Sequence, residues 1–137
     1  MVDVGNRVYS NVEQYVHRTF PSVNCQNTVS ATPDDFPAMS VRQIDTPEVA
    51  VDLDPGSFDH DFSVNSNVEI QVYSNLNITE ARSIITQACN AMRGMGYTRR
   101  YGPAEVRDGN YPNLFRMIAR FSRIVSSLDE IPKFTNE

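Results

Sequence analysis

The residues of this 137-residue chain best suited to nucleophilic chemistry are its two cysteines. Cys25 and Cys89 lie far apart in sequence, neither belongs to a Cys-x-x-Cys pair, and neither has a nearby helper that would activate a thiol. A Cys–His pair is chemically possible, but the spacing does not support one. Cys89 follows Ala88 on a predicted helix, where cysteine usually packs as a small hydrophobic residue. We therefore interpret both cysteines as reduced intracellular thiols.

Metal and phosphate chemistry have equally little support. The only cluster that mixes histidine with carboxylates is Asp59-His60-Asp61, and adjacent residues of an extended segment point to opposite sides. Only Asp59 and Asp61 could therefore converge, so a solvated acidic loop is the simpler interpretation. The glycines at 94 and 96 follow a predicted helix, whereas a phosphate cradle precedes one. Because the Gly-x-Ser-x-Gly and His-Glu-x-x-His motifs are also missing, we expect no cofactor, no metal and no enzymatic activity.

Charge is unevenly distributed along the chain, whose formal net charge is −5. Residues 45–61 contain six acids and no lysine or arginine, whereas residues 82–123 contain eight arginines against two acids. The chain has eleven arginines and one lysine in all. Arginine is enriched and lysine depleted in protein interfaces, so the bias favours protein contacts, with an ordinary solvated surface as the alternative. A sequence pI of about 5.0 disfavours direct readout of nucleic acid.

Two helices are predicted from apolar residues that recur at spacings of three and four. The first covers residues 4–20, with Asp3 as a candidate N-cap, and it ends before Pro21. The second covers residues 78–95 and has recognisable start and stop signals. These signals are Asn77 and Glu80 at the start and Gly94 and Gly96 at the end.

Period-two alternation predicts the strands, and the clearest covers residues 66–74. One face of it is apolar, and the other should be wet or in an interface. Further strands are predicted at 23–30, 36–44 and 114–126, the last with a third helix as the alternative. Residues 45–65 and 97–113 are predicted to be connections. The apolar face of the clearest strand consists of Val68, Ile70 and Val72, and the other face of Glu69, Gln71 and Tyr73.

The predicted order is α-β-β-loop-β-α-β. It favours an α+β fold in which two helices pack on one face of a mostly antiparallel sheet. The length fits a single domain over residues 1–137, with a less ordered tail after about residue 127. No apolar run is long enough to span a bilayer, and the N-terminus lacks the pattern of a secretory signal.

Five stretches carry a family resemblance when they are taken in order: the opening helix from Val4 to Pro21, Phe36-Pro37-Ala38, residues 69–75, residues 95–99 and residues 111–121. Together they resemble the small neck and tail-completion proteins of long-tailed bacteriophages, most closely the tail terminators. The resemblance implies a structural virion protein at the head–tail junction, made in the host cytoplasm. Such a protein forms a ring, usually a hexamer, that caps the tail tube, ends its polymerisation and docks the head connector; DNA only passes through its lumen. The acidic stretch 45–65 does not match, and the family has no catalytic residues to carry over.

A closed ring joins two different patches of each subunit, and complementary charges set the register of such a contact. We therefore expect acids of one subunit to meet arginines of the next. The alternatives are a head-closure or connector adaptor, and a small enzyme or ligand-binding domain in which a pocket brings a cysteine beside His17 or His60. The ring-interface candidates are Asp52, Asp54, Asp59, Asp61, Arg99, Arg100 and Arg107.

Overall fold

The computed structural model describes residues 5–26, 36–47, 64–107 and 114–125. Within these ranges the chain forms two helices and five strands. In chain order they are α1 (Gly5–His17), β1 (Asn24–Gln26), β2 (Ala38–Asp45), β3 (Val64–Ser74), α2 (Ile78–Gly94), β4 (Thr98–Val106) and β5 (Phe115–Val125).

The five strands form one sheet in the order β1-β2-β3-β5-β4. β1 pairs with β2 in parallel, and every other neighbouring pair is antiparallel. This confirms the predicted α+β class with a mostly antiparallel sheet. β3 is the central strand, since Val72 pairs with Met39 on one side and Met117 on the other. Side chains of β3 therefore have cross-strand neighbours on both sides.

Both helices contribute to a single apolar core on one face of the sheet. Because side chains alternate along a strand, Val68, Ile70 and Val72 all point to this face and are fully buried. The apolar stripes of the helices cover them, as predicted from their spacing. These stripes consist of Val8, Val12 and Val16 on α1, and Ala81, Ile84, Ile85, Ala88 and Met92 on α2.

The predicted start and stop signals of α2 are confirmed. The Asn77 side chain accepts a hydrogen bond from the backbone N–H of Glu80 at 2.7 Å, which satisfies a donor that lacks a partner within the helix. The helix ends at Gly94, and Gly96 adopts a φ of +82°, which glycine tolerates at no steric cost. α1 ends at His17, three residues earlier than predicted, and the chain turns before Pro21.

Strand β4 corrects the prediction that residues 97–113 form a connection. Thr98–Val106 pairs with β5 and forms one of the two edge strands of the sheet in the described residues. Its register shifts between Arg99 and Tyr101 and again between Tyr101 and Ala104. These irregularities interrupt the alternation by which a strand is recognised in sequence, and they bend the edge of the sheet.

Residues 115–125 form a strand, so the alternative of a third helix is wrong. The first strand is limited to Asn24–Gln26 within the described residues. The predicted cap Asp3, most of the acidic stretch and the tail lie outside the described ranges. Neither described helix has the length and apolar character needed to cross a membrane.

Candidate assembly surface

The sheet face opposite α1 and α2 carries polar and charged side chains and is here called the helix-free face, since no helix of the described residues packs on it. Its central row is formed by Glu69, Gln71 and Tyr73 of β3. All three are buried. We expected this side of the strand to be wet or in an interface, whereas it is already largely shielded from solvent in the single chain. A row of buried polar groups must be satisfied by hydrogen bonds.

The centre of the row is the Glu69 carboxylate, which two arginines approach. The Nε of Arg120 donates to Glu69 Oε2 at 2.9 Å, and the Nη2 of Arg42 lies 3.5 Å from Oε1. The Nε2 of Gln71 donates to Oε1 at 2.6 Å. The Glu69 side chain is 5% exposed, whereas those of Arg42 and Arg120 are 44% and 52% exposed. The carboxylate is therefore buried beneath two guanidinium groups that remain open to solvent.

Strand register creates this cluster. Glu69 is the direct cross-strand partner of Arg42 on β2 and of Arg120 on β5. Directly opposed side chains on one face have β-carbons about 5 Å apart, so both guanidinium groups reach the same carboxylate. A shift of one residue in either pairing would place the arginine on the opposite face of the sheet.

The electrostatic state of Glu69 follows from opposing effects. Burial alone would raise the pKa of its carboxyl group. The hydrogen bonds from Gln71 and Arg120 and the charges of Arg120 and Arg42 outweigh burial, so the pKa is lowered below its usual value. Glu69 is therefore ionised at neutral pH. Two guanidinium groups around one carboxylate leave the cluster with a net positive charge.

The row continues to Tyr73, whose hydroxyl donates to the Oε1 of Gln71 at 2.7 Å. Burial raises the pKa of Tyr73, although the charge of Arg116 and a hydrogen bond from it oppose the rise. Gln71 thus uses its amide group to link a phenol to a carboxylate. None of the buried side-chain polar atoms among the described residues lacks a partner, so this network is satisfied there.

Exposed apolar side chains lie on the same face of the sheet as the charged centre. Tyr101 of β4 and Ile124 of β5 are 49% and 58% exposed. The Arg120 guanidinium lies 5.6 Å from the centre of the Tyr101 ring, and the Nε of Arg100 donates to Ser122 Oγ at 2.7 Å. Tyrosine and arginine are enriched in protein interfaces and lysine is depleted there, and the described part of the chain contains no lysine.

The three arginines predicted for a ring interface lie in separate environments. Arg100 bonds to Ser122 on the helix-free face, whereas the neighbouring Arg99 hydrogen-bonds to the Cys89 thiol on α2. Arg107 forms an ion pair with Glu105 at 2.6 Å and lies over the ring of Phe115. Of the three, only Arg100 is found on the helix-free face. The acidic candidates Asp52, Asp54, Asp59 and Asp61 lie outside the described residues.

The cysteine that the enzyme alternative required does lie beside a histidine. The Sγ of Cys25 is 3.6 Å from the Nε2 of His17, which in turn is 2.8 Å from the backbone oxygen of Val23. Because a carbonyl oxygen only accepts, Nε2 carries the proton and cannot act as a base toward the thiol. Burial, aided by the charge of Glu13, raises the pKa of Cys25 to about 12. A nucleophilic cysteine needs the opposite shift.

A zinc site needs three or four histidine, cysteine or acidic ligands from the protein. The described ranges contain no such group. Asp59, His60 and Asp61, the one mixed cluster in the sequence, lie outside those ranges.

No protein-family model matches the sequence, and no curated protein matches it either. The class of the protein is therefore defined by the α+β fold of its described residues, in which two helices pack on one face of a five-stranded sheet.

Proposed function

We propose that this chain is a structural virion protein similar to phage tail terminators, and that its subunits assemble into a ring through the helix-free face. In this role the ring, a hexamer, caps the tail tube, ends tube polymerisation and joins the tail to the head-closure or connector protein. Its place is the neck of the virion, and DNA passes through its lumen without sequence readout.

The observation that carries the proposal is the arrangement around Glu69. Arg42 and Arg120 neutralise a buried carboxylate and still present half of their own surface to solvent. Their side chains are held in place by the cluster, so less conformational entropy is lost when a partner binds them. Tyr101 and Ile124 add exposed apolar area to the same face. A rigid, positively charged and partly apolar surface fits a protein partner.

The acidic stretch of the sequence supplies complementary charge. Residues 45–61 carry six acids and no basic residue. A heterologous ring contact pairs two different patches of the same chain, so this stretch of one subunit would meet the arginines of the next. Complementary charges would fix the register of the contact and exclude wrong partners more than they would increase its affinity. Arg100 is the predicted interface arginine that this arrangement retains.

Tail-tube assembly in vitro tests the proposed function. Tube protein polymerised in the presence of the chain should give tubes whose ends carry a ring, and the tubes should stop growing. Electron microscopy measures the length distribution and the ends. Binding to purified connector protein with no effect on tubes would favour the head-closure alternative. Failure to bind either partner would contradict a role in the neck.

A further inference from the structure

A cleft of about 340 Å³ opens between the second half of α2 and strand β4. It lies on the helix-covered side of the sheet, away from the Glu69 cluster. The described residues that line it are Cys89, Arg93, Tyr97, Thr98, Arg99 and Phe121. Its volume is at the lower end of the range for sites that bind small organic ligands.

Two positive charges in the cleft have no described carboxylate partner. Arg93 and Arg99 are both exposed, and the ion pairs among the described residues all involve other arginines. Burial raises the pKa of the Cys89 thiol, although a hydrogen bond from Arg99 and the charges of Arg99 and Arg93 oppose the rise. The thiol is therefore uncharged at neutral pH and cannot neutralise the two guanidinium groups.

Two aromatic side chains, Phe121 and Tyr97, contribute apolar surface to an otherwise mostly polar cleft. Phe121 is buried at the base of the helix-covered side. The Ser66 hydroxyl donates its only proton to Gln43 Oε1 at 2.8 Å. Its 2.8 Å hydrogen bond with Tyr97 must therefore be donated by the Tyr97 hydroxyl, which is engaged there. The Tyr97 ring is thus held in place, and it forms part of the cleft wall although most of it is buried.

We infer that this cleft binds a small organic anion. The anionic group, a carboxylate or a phosphate monoester, lies between Arg93 and Arg99, because the planar guanidinium group forms paired hydrogen bonds with both kinds of oxyanion. The apolar part of the ligand packs against Phe121 and Tyr97. Such a group can belong to a free metabolite or to the terminus of a partner protein. The site does not depend on the proposed ring assembly.

Protection of Cys89 from alkylation tests the site in the intact chain. Iodoacetamide is uncharged, and peptide mass spectrometry follows the two cysteines separately, so Cys25 serves as an internal reference. Phenyl phosphate and N-acetylphenylalanine are the probes for the two sources of the anion, with phenol as the neutral control.

Each of Arg93→Gln and Arg99→Gln should weaken protection at least about tenfold. Arg82→Gln, an exposed change elsewhere on α2, should leave it unchanged.

Slower alkylation of Cys89 with either anion, and none with phenol, supports the inference. Tighter protection by phenyl phosphate identifies a phosphate ligand, and tighter protection by N-acetylphenylalanine identifies a peptide carboxylate. Protection that survives both arginine substitutions would overturn the inference. Equal protection of Cys25, equal protection by phenol, or no protection by either anion would also overturn it.

Discussion

The Nε of Arg120 lies 2.9 Å from Oε2 of Glu69, its direct cross-strand partner on the central strand. The pair is asymmetric, because the carboxylate is buried and the guanidinium is half exposed. A carboxylate in such a position depends on its partners in order to remain ionised. The same contact therefore links the stability of the sheet to the charge that the helix-free face presents.

Replacing Glu69 with Gln should destabilise the fold by about 1–3 kcal/mol, because a buried group that accepts charge-assisted hydrogen bonds is lost. Urea unfolding followed by circular dichroism measures the free energy of unfolding. Glu105→Gln is the matched control, since its ion pair with Arg107 is on the surface and should contribute less than about 1 kcal/mol. Equal losses in the two variants would contradict a structural role for the Glu69 cluster.

Stability should depend on pH through the same carboxyl group. Its pKa is lowered by folding from an ordinary value of 4.5, so the unfolded chain binds the proton first as the pH falls. The stabilisation is fully present above the ordinary pKa and is lost as the pH falls through the lower pKa of the folded state.

The difference in the free energy of unfolding between wild type and Glu69→Gln should therefore be constant at about pH 7 and shrink below about pH 4.5. Urea titrations of both proteins at each pH measure it. A difference that grows on acidification would show that the pKa of Glu69 is raised in the folded protein.

Helices and central strands could be predicted from sequence because their burial is periodic. Val68, Ile70 and Val72 alternate without interruption, and the stripe and caps of α2 follow the expected spacing. β4 could not be predicted, since its two register shifts remove the alternation and all of its residues are exposed or half-buried.

The Glu69 cluster was missed for a different reason. Arg42 and Arg120 are distant from Glu69 in sequence, and only the pairing of three strands brings them together. The available signal was an acid in the middle of the most regular strand. Nothing local to Glu69 indicates that both faces of β3 are buried, because alternation is also the pattern of a half-exposed strand.

Gly102 should be intolerant of any side chain. Its φ is +75°, and an added Cβ would overlap the backbone oxygen of Ile118 on β5. Gly102→Ala should therefore destabilise the protein by about 2 kcal/mol or more. Gly94→Ala is the control, since nothing lies within 4 Å of a Cβ there, and alanine should stabilise the helix end by about 0.5–1 kcal/mol. Thermal unfolding compares them, and similar effects would contradict the described edge of the sheet.

Cys25 should react slowly with iodoacetamide in the folded protein up to about pH 10, because burial holds its pKa near 12. In the urea-unfolded chain the same thiol should titrate at about pH 8.5. Peptide mass spectrometry at a series of pH values gives both profiles. If the alkylation rate of Cys25 in the folded protein reached its plateau at about pH 7, this would indicate a thiolate paired with His17 and would favour the enzyme alternative.

Molar mass in solution, measured by light scattering after size exclusion, tests the central claim that the helix-free face assembles a ring. The wild-type chain should have a mass near six times the 15.5 kDa monomer, alone or once tube protein is added. Arg100→Glu should reduce it, whereas Arg99→Glu, a charge reversal one residue away on the helix-covered side, should not. A wild-type chain that stays monomeric with tube protein present would contradict the ring, and an intact ring in Arg100→Glu would contradict the assignment of its interface.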